Sequence, residues 1–122
     1  MGLTYALLAL RDHEAAVAVP VPDARENLRA VQRLAHDAGA RVVFMSEGLA
    51  PDPAPMAPYT AMLRTLAEEG GDLFVDTAAD LHAARDPDLF IDDCHLTERG
   101  HAFVAGRVAE ALASRGWVDG MR

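Results

Sequence analysis

An aspartate and a histidine three positions apart, Asp92 and His95, are the residues of this 122-residue chain whose types and spacing best suit chemistry. On one turn of the chain this spacing places a carboxylate beside an imidazole. The carboxylate then accepts a hydrogen bond from Nδ1–H and leaves Nε2 facing outward as a base. Such a pair activates a hydroxyl nucleophile for attack on an acyl group. We therefore predict that Asp92 and His95 form a catalytic pair.

The residues that flank this pair resemble a block of a known enzyme family. Phe90-Ile91 precedes the run Asp92–His95, and Leu96 and the pair Gly100-His101 follow it. The pattern resembles the D-x-x-H block near the C-terminus of SGNH (GDSL-type) esterases and lipases. The resemblance covers roughly residues 23–115 and is to the C-terminal half of such an enzyme. It implies a three-layer α/β/α fold with a short parallel sheet, of flavodoxin-like architecture, and ester hydrolysis by a Ser-His-Asp mechanism.

The serine half of that mechanism has no counterpart in the sequence. In the family the G-D-S nucleophile motif, the oxyanion-hole glycine and the oxyanion-hole asparagine of G-x-N-D precede this region, and none of these motifs occurs here. We expect one α/β domain over residues 1–122 whose N-terminal half is missing. It would act on a small-molecule ester if a Ser-bearing segment completed it. The alternative is an inactive remnant or a protein-interaction domain that keeps the fold.

A proline-rich segment, residues 46–58, follows a predicted strand and supplies further candidate residues. Its prolines predict an irregular loop that leaves the carboxyl end of the strand. Ligands of open α/β sheets bind at that end, so Ser46, Glu47 and Met56 are candidate pocket-rim residues. A plain surface connection is the equal alternative. Ser46 is disfavoured as a nucleophile because a nucleophile elbow needs small neighbours, and Met45 and Glu47 are not small.

Two other chemistries are available to the same turn. Cys94, the single cysteine, has no partner for an internal disulfide. We interpret it as a packing residue, since adjacent residues such as Cys94 and His95 seldom meet as nucleophile and base. The run Asp92, Asp93, Cys94, His95 contains only metal-ligand types, but ligands of one ion usually come in separated pairs, and no second pair is evident. We therefore expect no metal and no cofactor.

Composition narrows the class of partner. A formal net charge of −8 and a pI near 4.9 disfavour nucleic acid and anionic membrane surfaces, which need clustered cations. A neutral small molecule or a protein is the expected partner. The short apolar opening lacks a basic region before it, which predicts neither a signal peptide nor a membrane span. We expect a cytoplasmic protein, with export open if an N-terminal segment is missing.

Hydrophobic periodicity and turn residues predict alternating helices and strands around these sites. Asp23 is the predicted N-cap of a helix that Gly39 ends, Asp76 caps a short helix, and Thr97 caps the last one. His101 lies on the apolar stripe of that last helix, which predicts core packing. The predicted helices cover residues 3–18, 23–38, 59–69, 77–84 and 97–115, and the predicted buried strands cover 42–45 and 73–75.

Two short strands leave apolar surface uncovered in a fold of this type. The strand that would pair with residues 42–45 on the far side is expected to be missing with the N-terminal half. We therefore expect a homodimer, or a complex with a chain that supplies the other half. A lid formed by residues 3–18 over this edge is the alternative.

Overall fold

A computed structural model describes residues 19–118, in which helices and strands alternate along the chain. The predicted helix at residues 3–18, and the lid that it would form, lie outside the described residues. In chain order the elements are α1 (Val21–Asp37), β1 (Val43–Met45), a 3₁₀ turn (Ala54–Met56), α2 (Ala57–Gly70), β2 (Leu73–Val75), α3 (Thr77–Ala84), a second 3₁₀ turn (Pro87–Leu89) and α4 (Glu98–Ser114).

The two strands form a parallel sheet, which confirms the predicted α/β class. Phe44 of β1 lies opposite Phe74 of β2 in the register. Phe44 packs with Met62, Leu66 and Ala67 of α2 into a buried core that α1 borders. Leu81 of α3 and Val104 of α4 lie near the end of β1 and line one cavity together with Met45. Helices therefore cover the short sheet, and within residues 19–118 none is long and apolar enough to cross a bilayer.

Two element starts differ from the sequence prediction for the same reason. Helix α1 begins at Val21, so Asp23 lies within its first turn and is not the N-cap. Helix α2 begins at Ala57 and includes Pro58, which the sequence assigned to an irregular loop. Proline fits the first turn of a helix because its missing N–H would have no helical partner there. The same loop also contains the 3₁₀ turn, so it is less irregular than predicted.

Two predictions of burial are wrong. Met45 is 46% exposed, because within the described residues β1 has a strand partner on one side alone. His101 is exposed, whereas its neighbour Gly100 is buried. Helix α4 turns Gly100, Val104 and Val108 toward the fold, and a step of one residue rotates the next side chain by about 100°. His101 therefore faces away from the core.

A close approach between α4 and the preceding chain yields a stability prediction. A Cβ at Gly100 would overlap the backbone oxygen of Leu89, whereas a Cβ at Gly106 in the same helix meets open space. We expect Gly100→Ala to lower the free energy of unfolding by about 1–3 kcal/mol or more, as overpacking does. Gly106→Ala, the matched control, should raise it by about 1 kcal/mol through helix propensity. Urea denaturation measures both, and equal effects would contradict the close approach.

Candidate active site

The turn between the second 3₁₀ segment and α4 brings Asp92 and His95 together. Nδ1 of His95 lies 2.8 Å from Oδ2 and 2.9 Å from Oδ1 of Asp92. Oδ1 of Asp92 also accepts the backbone N–H groups of Cys94, at 3.0 Å, and His95, at 2.8 Å. An aspartate that bonds the backbone two and three residues ahead folds the chain back on itself. The same carboxylate therefore shapes the turn and orients the imidazole.

Neighbouring residues hold both ends of this turn. An isolated antiparallel bridge pairs Phe90 with Leu96. The hydroxyl of Thr97 donates to the backbone oxygen of Asp88 at 2.7 Å and accepts the backbone N–H of Gly100 at 3.1 Å. Thr97 is thus the N-cap of α4, as the sequence predicts, and it also ties the helix to the chain before the turn. The two hydrogen bonds of Thr97 therefore fix the angle between the turn and the start of α4.

The bonds to Asp92 stabilise its charged form. They lower its pKa from 3.8 to about 2, first through the backbone N–H of Cys94, then through the backbone N–H and the side chain of His95. Asp92 is therefore an anion throughout the neutral range and accepts a hydrogen bond from the Nδ1–H group of His95. Both side chains are open to solvent, at 53% for Asp92 and 71% for His95.

This assignment predicts an acidic titration for Asp92. Carbon-13 NMR should place its carboxyl midpoint near pH 2. In His95→Ala the midpoint should stay below 3.8, since the backbone donors, which dominate the shift, remain. Because the folded pKa lies below the unfolded one, the stabilisation is complete above the unfolded pKa and is lost as the pH falls toward 2. An ordinary midpoint in the parent chain would mean that the turn does not form.

The loop after β1 lies against this turn. The backbone N–H of Ala50 donates to the backbone oxygen of Asp93 at 2.9 Å. A cavity of about 190 Å³ lies between the loop and the turn, and its lining includes Ser46, Glu47 and Cys94. The Asp–His pair therefore sits beside the carboxyl end of β1, where a ligand of an α/β sheet is expected.

Ser46 is a structural residue in this arrangement. It is 2% exposed, its hydroxyl donates to Asp76 at 2.9 Å, and the same oxygen accepts the backbone N–H of Ala78 at 2.9 Å. Its backbone oxygen accepts the hydroxyl of Thr77. These bonds join the end of β1 to the start of α3 and occupy the hydroxyl. Because these bonds already engage its hydroxyl, Ser46 is not placed to act as the nucleophile for His95.

The three candidate rim residues do not share one cavity. Glu47 is exposed and lines the cavity beside Cys94 together with Ser46. Met56 lines a different cavity of about 180 Å³, beside Leu28 of α1, to which Glu47 also contributes. Glu47 thus lies between the two cavities. Of the three, Met56 is the one that does not line the cavity beside the Asp–His turn.

Sequence reasoning missed two features that shape the site. The bond between Ala50 and Asp93 joins backbone atoms, so no residue type signals it. At Gly48 a Cβ would lie 2.6 Å from Cδ1 of Leu81, so the loop passes close over α3 and a larger residue would displace the Leu81 side chain. A glycine two residues after Ser46 was the available signal.

Cys94 lies closer to the imidazole than adjacent residues were expected to come. Its Sγ is 3.5 Å from Nδ1 of His95. Cys94 is exposed, so its interpretation as a packing residue is wrong. Partial desolvation raises the pKa of its thiol, and the charge of Asp92 raises it further. A protonated thiol on the Nδ1 side of the ring is poorly placed to be activated by Nε2. The geometry therefore does not favour Cys94 as a nucleophile.

Comparison with known proteins identifies a matching family and solved structures with a similar fold. The GDSL-like lipase/acylhydrolase family profile matches residues 11–103. Two variants of an acetyl-xylooligosaccharide esterase from Geobacillus Stearmophilus superpose with TM-scores of 0.69 and 0.67 at 21% and 22% identity. The alignments cover 77% and 75% of this chain and 48% and 47% of those chains, so the chain spans about half their length. No curated protein matches the sequence.

Proposed function

The chain belongs to the GDSL-like lipase/acylhydrolase family, and from this premise we propose that it supplies the histidine and aspartate of a serine ester hydrolase. The contact between His95 and Asp92, at 2.8 Å, is the observation that carries the proposal. Nε2 of His95 takes the proton of a serine hydroxyl as the serine oxygen attacks the ester carbonyl. The resulting imidazolium returns that proton to the leaving alcohol, and an acyl-enzyme forms. Water activated by the same nitrogen then hydrolyses the acyl-enzyme.

The charge of Asp92 fixes which nitrogen of His95 acts. A carboxylate with a pKa of about 2 accepts a hydrogen bond from Nδ1–H and keeps the proton on Nδ1, so the lone pair of the neutral imidazole lies on Nε2. The same anion stabilises the imidazolium that forms during attack. These two effects support the assignment of His95 as the base and Asp92 as the residue that orients it.

The nucleophile in this proposal comes from outside the 122 residues. The sequence contains two serines, Ser46 and Ser114. Ser46 is buried and bonded to Asp76 and Ala78. Ser114 ends α4, whose 17 residues span about 25 Å from the end that carries the turn. Neither serine is placed to donate its hydroxyl proton to His95. A Ser-bearing segment or chain would therefore supply the hydroxyl and the oxyanion donors.

Hydrolysis of p-nitrophenyl acetate tests this proposal. The chain alone should be no faster than free imidazole, since loss of one member of a triad costs on the order of 10⁴–10⁶ in turnover. A polypeptide that contains these residues together with a Ser-bearing segment should turn over the ester. Robust turnover by the chain alone that Ser46→Ala abolishes would overturn the assignment.

A non-catalytic interaction domain is the alternative function. The burial of Ser46, which removes the best placed hydroxyl from reaction, favours it. In this case a Ser-bearing polypeptide that contains the chain would be inactive, or its activity would not change in His95→Ala. Ester hydrolysis by the Ser-bearing polypeptide, measured with and without His95→Ala, therefore distinguishes a hydrolase from a non-catalytic interaction domain.

We also propose that exposed apolar side chains of α1 and β1 bind a second copy or a complementing chain. Val31 is 60% exposed, Leu34 69% and Met45 46%. Apolar surface is worth about 25 cal/mol per Å², so covering a few hundred Å² favours a partner by several kcal/mol. We expect light scattering to show a mass that rises with concentration, and Leu34→Lys to prevent this rise. Ala83→Lys, on the exposed face of α3, is the control, and a monomer at all concentrations would contradict binding of a second copy.

The expected substrate and compartment follow from charge and cysteine content. A net charge of −8 supports a neutral ester as substrate and gives no support to nucleic acid. The lone cysteine, without a disulfide partner, supports a cytoplasmic location. Cell fractionation checks the location, and recovery from the exported fraction would contradict it.

A further inference from the structure

The Asp–His turn brings together three side chains of types that bind metal ions. One ligand atom each from Asp92, Cys94 and His95 lies within 4.8 Å of the other two. The sequence spacing argued against a metal, because adjacent residues seldom close on one ion. The bonds from the backbone to Asp92 remove this objection, since they fold the chain back and turn the thiol toward the imidazole.

The distance between sulfur and nitrogen fits a tetrahedral cation. Sγ of Cys94 is 3.5 Å from Nδ1 of His95. Zinc binds sulfur at about 2.3 Å and nitrogen at about 2.0–2.1 Å, so two such ligands on a tetrahedral ion lie about 3.5 Å apart. A carboxylate oxygen of Asp92 lies 2.8 Å from the same nitrogen. A shift of about half an ångström would bring this oxygen to the separation of about 3.3 Å expected for an oxygen and a nitrogen ligand of one tetrahedral ion.

The charge around the thiol favours a cation as well. The carboxylates of Asp92, Glu47 and Asp93 lie close enough to the thiol of Cys94 to act on its charge. Negative charge that disfavours a thiolate attracts a divalent ion, which in turn deprotonates the thiol that binds it. Within the described residues the cluster supplies three ligands, and solvent is free to fill a fourth position of a tetrahedral ion. Sulfur, nitrogen and carboxylate oxygen together are a donor set that zinc accepts.

We propose that Asp92, Cys94 and His95 bind a thiophilic divalent cation of the zinc type, and that the bound cation switches the Asp–His pair off. The site would regulate the pair, since it occupies the atoms that orient His95. Cys94 is the residue that makes this turn a metal site in addition to an Asp–His pair.

Inhibition follows from where the protons go. On binding, the thiol of Cys94 releases its proton to solvent and the sulfur gives an electron pair to the cation. The proton on Nδ1 of His95 leaves that nitrogen, whose lone pair also goes to the cation, and neutral imidazole then carries its proton on Nε2. An Nε2 that holds a proton does not accept one from a serine. This consequence rests on the proposed function, whereas cation binding itself does not.

Cobalt spectroscopy on the 122-residue chain tests the site directly. Because Cys94 is the single cysteine, a thiolate-to-Co²⁺ charge-transfer band reports Cys94 alone. We expect this band, together with the visible bands of tetrahedral Co²⁺, and their loss on addition of Zn²⁺. Cys94→Ser should abolish the band and weaken Zn²⁺ binding at least by the 10–100-fold that loss of an outer-shell partner costs. His95→Gln should weaken Zn²⁺ binding to a similar extent.

His101→Gln is the matched control, because His101 is exposed on α4 and outside the cluster. It should keep the charge-transfer band and the Zn²⁺ affinity of the parent chain. Absence of the band in the parent chain, or an unchanged Zn²⁺ affinity in Cys94→Ser, would overturn the proposal. Circular dichroism of each variant excludes loss of the fold as the cause.

A second measurement separates the site from the proposed function. In a Ser-bearing polypeptide, the ratio of ester hydrolysis with and without Zn²⁺ should fall well below one in the parent sequence and stay near one in Cys94→Ser. A cobalt band without any hydrolysis would sustain the site and contradict the proposed function. Hydrolysis without a cobalt band would sustain the proposed function and contradict the cation site.

Discussion

In a polypeptide that also carries the nucleophile serine, His95→Ala is expected to lower kcat for ester hydrolysis by about 10⁶-fold, the cost of removing the base from a serine triad. The serine proton then has no acceptor, since Asp92 reaches the hydroxyl only through the imidazole. The effect should fall on kcat with little change in KM, because His95 acts in the transition state. Initial rates with p-nitrophenyl acetate measure both constants.

The control for this change is His101→Ala. His101 is an exposed histidine six residues further along the chain, and it does not line the cavity beside the turn. Its removal should leave kcat within a factor of about two of the parent, as for a surface substitution away from the site. Comparable losses in the two variants would indicate unfolding, and a small loss in His95→Ala would remove His95 from the mechanism.

Asp92→Asn is expected to lower kcat by about 10⁴-fold in the same polypeptide, as the wrong tautomer does in a serine triad. The geometry gives the reason. Oδ1 of Asp92 accepts two backbone N–H groups, so the asparagine oxygen should stay there and hold the turn. The amide nitrogen then takes the place of Oδ2, 2.8 Å from Nδ1 of His95, and donates to it. The ring is left with its proton on Nε2 and no longer accepts one from serine.

Asp93→Asn is the matched control for this prediction. Asp93 neighbours Asp92 in the chain, but the bond that it makes to the loop uses its backbone oxygen, which the substitution keeps. Activity should therefore stay near that of the parent. If Asp92→Asn also keeps parental activity, the contact between Asp92 and His95 has no catalytic role, and the D-x-x-H resemblance does not extend to mechanism.

Local features of the sequence determined most of the fold and the contact between Asp92 and His95. Strand β2 and helix α3 have the predicted bounds, because Gly71, Asp76 and the apolar run between them act within a few residues. Thr97 caps α4 as predicted for the same reason. The contact between Asp92 and His95 also belongs to a single turn, so three residues of spacing were enough to predict it. The family resemblance rested on this same short stretch.

The tertiary structure alone decided the roles of the other candidates. Ser46 is bound by Asp76, which lies 30 residues away in sequence, and no local pattern predicts such a bond. The rotation of α4 against the sheet exposes His101, and the path of the loop after β1 places Met56 on a different cavity from Cys94. Spacing fixes which side chains meet within a turn, because the backbone geometry there is set locally. Which surfaces are buried depends on how separate elements pack, and that depends on contacts between residues far apart in the chain.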